Sequence, residues 1–401
     1  MAAKKTYIVI TPFFPTPDSY RGCYVYDAVR AIQRDGRYHV EVFVPKRRGD
    51  KREGYDIDGL RVHLFPMTAL PSYLFNGLTF GINARSLAKA VVKAGIDPSD
   101  VAVAHGHTSG FGAAALGLKR LNPEIKVLCQ HHDLDPYTIR NGRLAGWLPN
   151  LSFRAHAARR AYEQIDLHVC ISRAVEWNLS HFPQVNPDID FENYNYKLRK
   201  LRGMRKTRLK ATTVLYNGVD TRIFNTEGRK TEGTFRIGCI ANFQDLKEHR
   251  TLLRALGNLQ DRGLDFEAEL IGTGPELEGC KKLSHELKLD SRVMFLAELP
   301  HERLADFYRR LDLFVLPSVF EGFGCVYTEA WSCGTPFIAC QGQGIADYIF
   351  PEDANLWLAS QHDADDLSDK IENYIKKRPE QRLRYPVDID TLMRDFLDKL
   401  Q

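Results

Sequence analysis

Apolar and polar positions alternate along this chain in two series of strand-like and helix-like segments. In the first series, apolar runs typical of buried strands (7–11, 101–105, 126–131) are separated by amphipathic runs with helical spacing (24–34, 83–94). The second series restarts at 235–240 and continues to 336–340. Strands that alternate with helices predict parallel sheets covered on both faces, so two such series predict an α/β protein with two Rossmann-like, doubly wound domains.

The same pattern predicts the domain limits. We assign residues 1–216 to the first domain and 217–384 to the second, with the turn signal Asn217-Gly218 at the junction. Residues 385–401 carry a helical apolar stripe (Leu392, Phe396, Leu397, Leu400) and are expected to form a helix that packs back toward the first domain. Ligands of open parallel sheets bind beyond the carboxyl ends of the strands, so we expect the site in the cleft between the two domains.

Composition excludes several classes of protein. The 401 residues are 44% hydrophobic and 26% charged, as in ordinary soluble proteins, and the net charge of +4 is too small to indicate a nucleic-acid partner. No apolar run reaches the roughly 18 residues of a spanning helix, and the N-terminus shows no signal-peptide pattern. The eight cysteines include no CxxC pair and fall mostly in apolar runs, which is typical of reduced core residues. We therefore expect a cytoplasmic protein.

Segment 317–330 carries the clearest chemistry. It follows the apolar run 311–316, contains Gly322 and Gly324 in a turn, and leads into a helical pattern, with Glu321 before the helix and Glu329 within it. Glycine backbone can approach a ligand closely, and a helix N-terminus favours an anion such as a diphosphate. Each carboxylate could then accept hydrogen bonds from sugar hydroxyls. For the segment alone, the alternative is a helix with an acidic first turn and a glycine-rich entry, and the nucleotide-sugar site is the favoured interpretation.

Two further strand-to-helix turns lie in the same half of the chain. Lys247 follows the strand-like run 235–240, where its ammonium could neutralise a phosphate, although a lone lysine in such a loop is usually just solvated. Gly272 and Gly274 form a second glycine-rich turn after the run 266–271. Several such turns in one domain favour a phosphate-binding site more strongly than any single one.

In the first half, His131-His132-Asp133 closes a strand-like run. A histidine at the carboxyl end of a strand can hydrogen-bond a sugar hydroxyl or transfer a proton. The two histidines, with Asp133 and Asp135, could also be metal ligands, but adjacent strand residues point to opposite faces. We therefore expect no metal.

A basic segment interrupts the pattern at about 181–210. Residues 197–210 include eight Lys or Arg and no acid, and they follow Phe191, Tyr194 and Tyr196. Such a segment can contact an anionic membrane, and a solvated, poorly ordered surface insertion is the alternative.

Taken together, these motifs resemble the family-4 retaining glycosyltransferases of the GT-B fold. The resemblance covers most of the chain. It rests on Phe14-Pro15 with Gly22-Cys23, His132-Asp133, Asp166 with Ile171-Ser172, Asn217-Gly218-Val219-Asp220, Gly272 to Glu276, and the E-x7-E pair Glu321/Glu329. It implies transfer of a sugar from a nucleotide-diphosphate sugar to a glycan or lipid-linked acceptor without a metal or other cofactor, in polysaccharide, lipopolysaccharide or glycolipid synthesis at the inner face of a membrane.

The resemblance also implies a role for each matching residue. Glu321 would support the oxocarbenium charge of the donor sugar, and His132 would contact that sugar from the other domain. Lys247 would bind the diphosphate, and Glu329 the ribose hydroxyls. The remaining donor-binding positions would be Gly22, Asn242, Gly272, Gly274, and the backbone around Gly322, Phe323 and Gly324.

One departure from the family pattern affects the expected activity. Asn242 stands where the family usually has an arginine, five residues before the phosphate-binding lysine, and His249 or Arg250 could replace that cation. The alternative functions are therefore a nucleotide-sugar-binding or scaffold subunit without turnover, and a same-fold sugar epimerase. A phosphorylase would need a lysine for pyridoxal phosphate, and no further lysine of the second domain is placed for it.

Overall fold

The computed structural model describes residues 4–16, 19, 22–47, 49–68, 70, 77–140, 143–187, 189, 192–229 and 233–400, with only the backbone of residues 192–194. These residues form two compact units. The first comprises the described residues of 1–186, 192–218 and 389–401, and the second those of 187–191 and 219–388. In the described ranges, none of the helices combines the length and the apolar character that crossing a bilayer requires.

The first unit is an eight-stranded sheet covered by helices. The sheet order is β10-β9-β6-β5-β1-β2-β4-β3, and every neighbouring pair is parallel except β3–β4. Its strands, with the separate hairpin β7–β8, are β1 (Lys5–Ile10), β2 (Tyr38–Pro45), β3 (Gly54–Ile57), β4 (Leu60–Phe65), β5 (Val101–His107), β6 (Lys126–His131), β7 (Ile139–Arg140), β8 (Arg143–Leu144), β9 (Leu167–Cys170) and β10 (Thr212–Val214). Its helices are α1 (Cys23–Asp35), α2 (Phe80–Lys93), α3 (Ser109–Lys119), α4 (Leu148–Tyr162), α5 (Arg173–His181) and α6 (Glu192–Lys200).

The second unit is a six-stranded, fully parallel sheet in the order β13-β12-β11-β14-β15-β16. Its strands are β11 (Arg236–Ile240), β12 (Glu267–Ile271), β13 (Val293–Leu296), β14 (Leu313–Val315), β15 (Phe337–Cys340) and β16 (Leu358–Ala359). Its helices are α7 (His249–Asp261), α8 (Leu277–Glu286), α9 (His301–Arg309), α10 (Cys325–Ser332), α11 (Ala354–Trp357) and α12 (Ala364–Lys377). Because β12 lies on one side of β11 and β14 on the other, the strand order reverses between β11 and β14. This is the switch point at which open parallel sheets bind ligands.

The last helix, α13 (Ile389–Asp398), belongs to the first unit, where it packs on α1. Phe396 and Leu397 are buried there, and Arg37 Nη1 donates to Asp398 Oδ1 at 2.6 Å. The apolar stripe read from the sequence is therefore the buried face of this helix.

The predicted α/β class with parallel sheets is confirmed in both units. The structure differs at the edge of the first sheet, where β3 is antiparallel to β4 through a two-residue turn at Asp58-Gly59. Both of these residues have positive φ (46° and 74°), so the chain can reverse within a short hairpin. A pattern of burial cannot distinguish such an edge strand from a parallel one.

Candidate functional site

In the second unit, two predicted site residues meet at the switch point. Lys247 ends a short 3-10 turn after β11, and Glu321 lies in the loop after β14. Lys247 Nζ is 2.5 Å from Glu321 Oε1, with the two side chains 20% and 15% exposed. An ion pair with this little contact with water holds a cation and a carboxylate in fixed positions beside the sheet edge.

A buried network fixes the loop that carries Glu321. Ser318 Oγ donates to Glu321 Oε1 at 2.8 Å, and the backbone N–H of Gly344 donates to the Glu321 carbonyl at 2.9 Å. Gln343 Nε2 donates to the Ser318 carbonyl, and the Tyr327 hydroxyl donates to Gln343 Oε1 at 2.6 Å. Lys247 and Ser318 therefore hold the carboxylate of Glu321, and Gly344 holds its backbone, before any ligand arrives.

The start of α10 lies beside the same pair. Gly324 is its N-cap, with a left-handed backbone (φ 88°) and no side-chain cap hydrogen bond. A cavity of about 370 Å³ opens here, and its lining includes five predicted residues: Asn242, Lys247, Gly272, Glu321 and Gly324. A helix N-terminus next to a lysine provides a place for an anion such as a diphosphate.

Gly272 and Gly274 have a structural reason to be glycine. Both have positive φ (147° and 151°), and a Cβ on them would lie 2.1 Å from the Ala241 carbonyl oxygen and 2.3 Å from that of Phe243. The β12–α8 turn therefore packs directly on the backbone of the β11–α7 loop. These glycines allow the two loops to meet at the cavity, and of the two only Gly272 is among its lining residues.

Three other predicted residues lie beside the cavity and are not part of its described lining: Gly322, Phe323 and Glu329. The Phe323 side chain is buried against Tyr348, so only its backbone could meet a ligand. Glu329, on α10, accepts a hydrogen bond from the Tyr308 hydroxyl at 2.9 Å. Tyr308 is fully buried, which gives the Glu329 carboxylate a fixed partner.

The structure does not replace the missing arginine from nearby residues. Arg250 contacts Glu276 Oε2 at 3.2 Å, and His249 is buried with its ring stacked on Phe243 at 4.0 Å. Burial lowers the pKa of His249 to about 4, so this ring is neutral near pH 7. Of the described cavity-lining residues, Lys247 is therefore the one cation beside Asn242.

In the first unit, His132 lies just after β6 and contacts a second histidine. His132 Nε2 is 2.8 Å from His107 Nδ1 on β5, and the two rings are stacked at 5.1 Å. The Tyr24 ring, at the start of α1, lies 5.2 Å from that of His132. Burial lowers the pKa of His132 to about 4. His132 is therefore a neutral imidazole that one partner holds in place.

Gly22 begins α1 near this histidine pair. Its φ is 92°, and a Cβ there would lie 2.5 Å from the Phe13 carbonyl carbon. The glycine thus brings the start of α1 against the β1 loop, which positions Tyr24 beside His132.

His131 and His132 make separate contacts. His131 Nε2 is 3.0 Å from His168 Nδ1, and His168 Nε2 is 3.1 Å from the Tyr162 carbonyl oxygen. In the part of the chain that the structure describes, one group of buried side chains has metal-ligand character: Cys129, His131 and His168, with ligand atoms within 4.8 Å of one another. This group differs from the set considered from the sequence, and the hydrogen bond between its two histidines already pairs two of its ligand atoms.

Sequence reasoning did not find His107, Ser318 or Tyr308. His107 ends a run that reads as a buried strand, and its partner His132 is 25 residues away. The position of Ser318, three residues before Glu321 in the same loop, is a signal from which its hydrogen bond to Glu321 could have been predicted. Tyr308 lies on α9, which was not predicted.

Comparison with known families places both halves of the chain. The profile described as Glycosyltransferase Family 4 matches residues 22–189, and that of Glycosyl transferases group 1 matches residues 220–385. The Bacillus subtilis protein EpsF, a glycosyltransferase by name, is 31% identical over 174 residues, which are 41% of this chain and 43% of EpsF. The chain thus matches less than half the length of this relative.

Solved structures show the same fold over nearly the whole chain. Sucrose-phosphate synthase from Thermosynechococcus elongatus aligns over 99% of this chain and 95% of its own, with 19% identity and a TM-score of 0.68. The Anabaena protein HepE, in complex with UDP and glucose, aligns over 98% of both chains, with 17% identity and a TM-score of 0.63. The resemblance inferred from the motifs is confirmed: the chain belongs to the group 1 glycosyltransferase family and has the GT-B fold.

Proposed function

We propose that this protein is a retaining glycosyltransferase that moves a sugar from a nucleotide-diphosphate sugar to a glycan or lipid-linked acceptor. The Lys247–Glu321 pair carries the proposal, because it joins a phosphate-neutralising cation to an oriented carboxylate at the switch point of the second sheet. The α10 N-terminus beside this pair favours the diphosphate. HepE, which has the same fold, is known in complex with UDP and glucose, and this supports a nucleotide-sugar donor.

In the proposed reaction, the bond from the anomeric carbon to the diphosphate oxygen breaks as the acceptor oxygen attacks from the same face. The acceptor proton passes to the leaving phosphate oxygen. Lys247 would exchange its contact with Glu321 for the diphosphate, and Glu321 would stabilise the positive charge that develops on the sugar. His132, as a neutral imidazole, would hydrogen-bond a sugar hydroxyl. The residues would thus contribute positioning and charge stabilisation, without a metal.

A donor panel tests this proposal. UDP-, GDP-, ADP- and dTDP-sugars are each added to the protein, and its thermal unfolding is followed. A donor at a hundred times its dissociation constant should stabilise the protein by about 2.7 kcal/mol. The matched control is Lys247→Ala, in which the shift should shrink. If no nucleotide sugar stabilises the wild-type protein, the proposed donor class is wrong.

A second candidate function follows from Asn242. With Lys247 as the one cation among the described cavity-lining residues, the protein could bind a nucleotide sugar without turning it over, as a scaffold subunit. Hydrolysis of a stabilising donor in the absence of acceptor, or product formation in a membrane extract, separates this candidate from the enzyme. In addition, Asn242→Arg should tighten donor binding if the missing cation limits affinity.

We further propose that the acceptor belongs to polysaccharide, lipopolysaccharide or glycolipid synthesis at the inner face of a membrane. The support is the basic segment 197–210, whose eight Lys or Arg residues, with no acid among them, could contact an anionic membrane. Incubating a radiolabelled donor with total lipid and with soluble glycan fractions tests this setting. Label that enters neither fraction would contradict it.

A further inference from the structure

The segment formed by α6 and the residues after it, up to Lys210, carries an unusual concentration of cations without ion pairs among the described residues. Six of its basic side chains are exposed, and within the described ranges none of them forms an ion pair: Arg199, Lys200, Arg202, Arg205, Lys206 and Arg208. Lys210 differs, because its Nζ lies 2.8 Å from Asp166 Oδ1. Surface charges are usually interspersed with their opposites, so an uncompensated group of this size indicates an anionic partner.

This segment is fixed on the first unit. Leu198 and Leu201 are buried, and Lys197 Nζ donates to the carbonyl oxygens of Leu144 and Gly146, the second at 3.1 Å. α6 packs on β8 through these contacts. A solvated, poorly ordered insertion would not bury two leucines, so the cations are presented on a defined surface. Phe191, one of the aromatic residues noted in the sequence, lies outside the described residues.

Two large aromatic side chains are exposed beside the cations. Tyr196 is 54% exposed and Trp147 is 57% exposed. Lys197 is the neighbour of Tyr196 in the chain and Gly146 is the neighbour of Trp147, so the hydrogen bond from Lys197 to Gly146 brings the two aromatic positions together. Lys200 Nζ lies 5.2 Å from the centre of the Tyr196 ring. Arg143, in the hairpin, is a further exposed cation without an ion pair among the described residues. We call this group, from Arg143 and Trp147 to Tyr196 and the six unpaired cations, the aromatic–basic surface.

We infer that the aromatic–basic surface docks this protein on an anionic lipid bilayer. Cations near such a bilayer are attracted to the headgroup charge, and tryptophan and tyrosine are enriched at the boundary between headgroups and acyl chains. The cations therefore match the charged headgroups of a bilayer, and the two rings match the boundary between headgroups and acyl chains. This inference rests on the membrane setting proposed above and deepens it, because it names the lipid partner and adds residues of the hairpin and of α6 to the basic segment. Vesicle binding is measured without a donor, so its failure is distinguishable from a failure of the proposed sugar transfer.

Vesicle binding by the full-length protein tests the inference. Sedimentation is measured with phosphatidylcholine vesicles and with vesicles that also contain phosphatidylglycerol. Binding should require the anionic lipid and should weaken as salt is added. Because Leu198 and Leu201 are part of the core, the segment is tested by substitution rather than by deletion. The double variant Arg199→Gln/Lys200→Gln should bind about thirtyfold more weakly, at about a tenfold loss per 1.4 kcal/mol.

Matched controls separate a local effect from a change of net charge. Arg85→Gln/Lys89→Gln removes two exposed α2 cations that likewise have no ion pair among the described residues, and it should bind almost like the wild type. Leu121→Ala, at an exposed apolar position, is the control for Trp147→Ala/Tyr196→Ala, which should lose the binding that persists at high salt. Equal losses in test and control variants would overturn the assignment of this surface.

Insertion of Trp147 is measured separately. Lipids brominated near the headgroup should quench tryptophan fluorescence, and Trp147→Phe should abolish the quenching while vesicle binding remains. Two results would overturn the inference: wild-type protein that ignores anionic vesicles at low salt, or an RNA that binds tightly while vesicles produce no quenching. The second result would assign the surface to a soluble polyanion.

Discussion

The candidate site residues after the strands of the two sheets differ in charge: they are charged in the second unit and neutral in the first. In the second unit, a charged pair, Lys247 and Glu321, lies beside a helix N-terminus. In the first, β6 is followed by His132, a histidine that burial keeps neutral and that hydrogen-bonds a second histidine. A diphosphate needs fixed charge, whereas a sugar hydroxyl needs a neutral hydrogen-bonding group that does not repel it. Under the proposed function, the second unit would bind the diphosphate through charge, and the first would bind a sugar hydroxyl through a neutral group.

Burial keeps the histidines of the first unit neutral. Five histidines of the first unit have pKa values below the usual 6.5, all because of burial: His105 (about 3), His107, His131, His132 (about 4) and His168 (about 4). In the second unit the same effect is found at His249 (about 4) and His301. The first unit therefore contains more groups that resist protonation.

Acidification should thus destabilise the first unit more than the second, and this is the largest effect we expect. The histidines of the unfolded chain take up protons below about pH 6.5, whereas each folded histidine with a depressed pKa takes up its proton only at a lower pH, about pH 4 for His132 and His168. Each such group therefore costs up to about 1.4 kcal/mol of stability per pH unit as the pH falls through this window. Asp133 and Asp135 of the first unit act in the opposite direction, because burial raises the pKa of both carboxyls (that of Asp133 to about 7) and the folded state takes up their protons first. They offset part of the loss, but the five histidines outnumber them, so we expect the first unit to lose more stability than the second at pH 5.

Hydrogen-exchange mass spectrometry at pH 7.5 and pH 5, corrected for intrinsic exchange rates, measures this loss. Peptides of β5 and β6 should lose protection before those of β11 and β14. Equal protection in both units, or earlier loss in the second, would contradict the account of the buried histidines.

Removing the cation from the charged site should have the next largest effect. Lys247→Ala deletes the group that would neutralise the diphosphate, and a hydrogen bond to a charged group contributes about 1.5–3 kcal/mol. Donor binding, measured by calorimetry, should weaken about ten- to hundredfold. Lys281→Ala is the control, because this exposed lysine pairs with Glu278 within α8. An unchanged donor dissociation constant would remove Lys247 from the site.

A smaller effect is expected from the partner of His132. His107→Phe keeps the stacked ring but removes its hydrogen bond, so His132 can turn away from its sugar-binding orientation. We expect kcat to fall about fivefold with the donor KM unchanged, since a neutral hydrogen bond contributes about 1 kcal/mol. His105→Phe is the control, because His105 bonds Tyr7 rather than His132. Loss of stability without the kcat effect would make His107 a purely structural residue.

The sequence predicted the second unit's site in more detail than the first's. Lys247 and Glu321 follow neighbouring strands, and parallel topology alone brings such positions to one edge. His107 could not be assigned in this way, because its role depends on which strand lies next to β6. Nor could the sequence show that Arg250 turns to Glu276 or that His249 stacks on Phe243, since both outcomes depend on side-chain packing.

The basic segment shows another limit of sequence reasoning. Its charge was evident, but a charge run alone does not distinguish a loose insertion from a presented surface. Leu198 and Leu201 decide this, because both are buried. The sequence could not show it, because α6 packs on β8 of a hairpin whose two-residue strands are too short to produce a pattern.

The central claim is that the charged site of the second unit performs the transfer, and the most direct test compares Glu321→Gln with the wild-type protein. Product formation and donor affinity are measured in parallel, with the donor that stabilises the wild type. The amide keeps the shape and a hydrogen-bonding oxygen but loses the charge that would stabilise the transition state. The account predicts that transfer is abolished while the donor dissociation constant stays within about tenfold. Near-normal turnover of Glu321→Gln would contradict it.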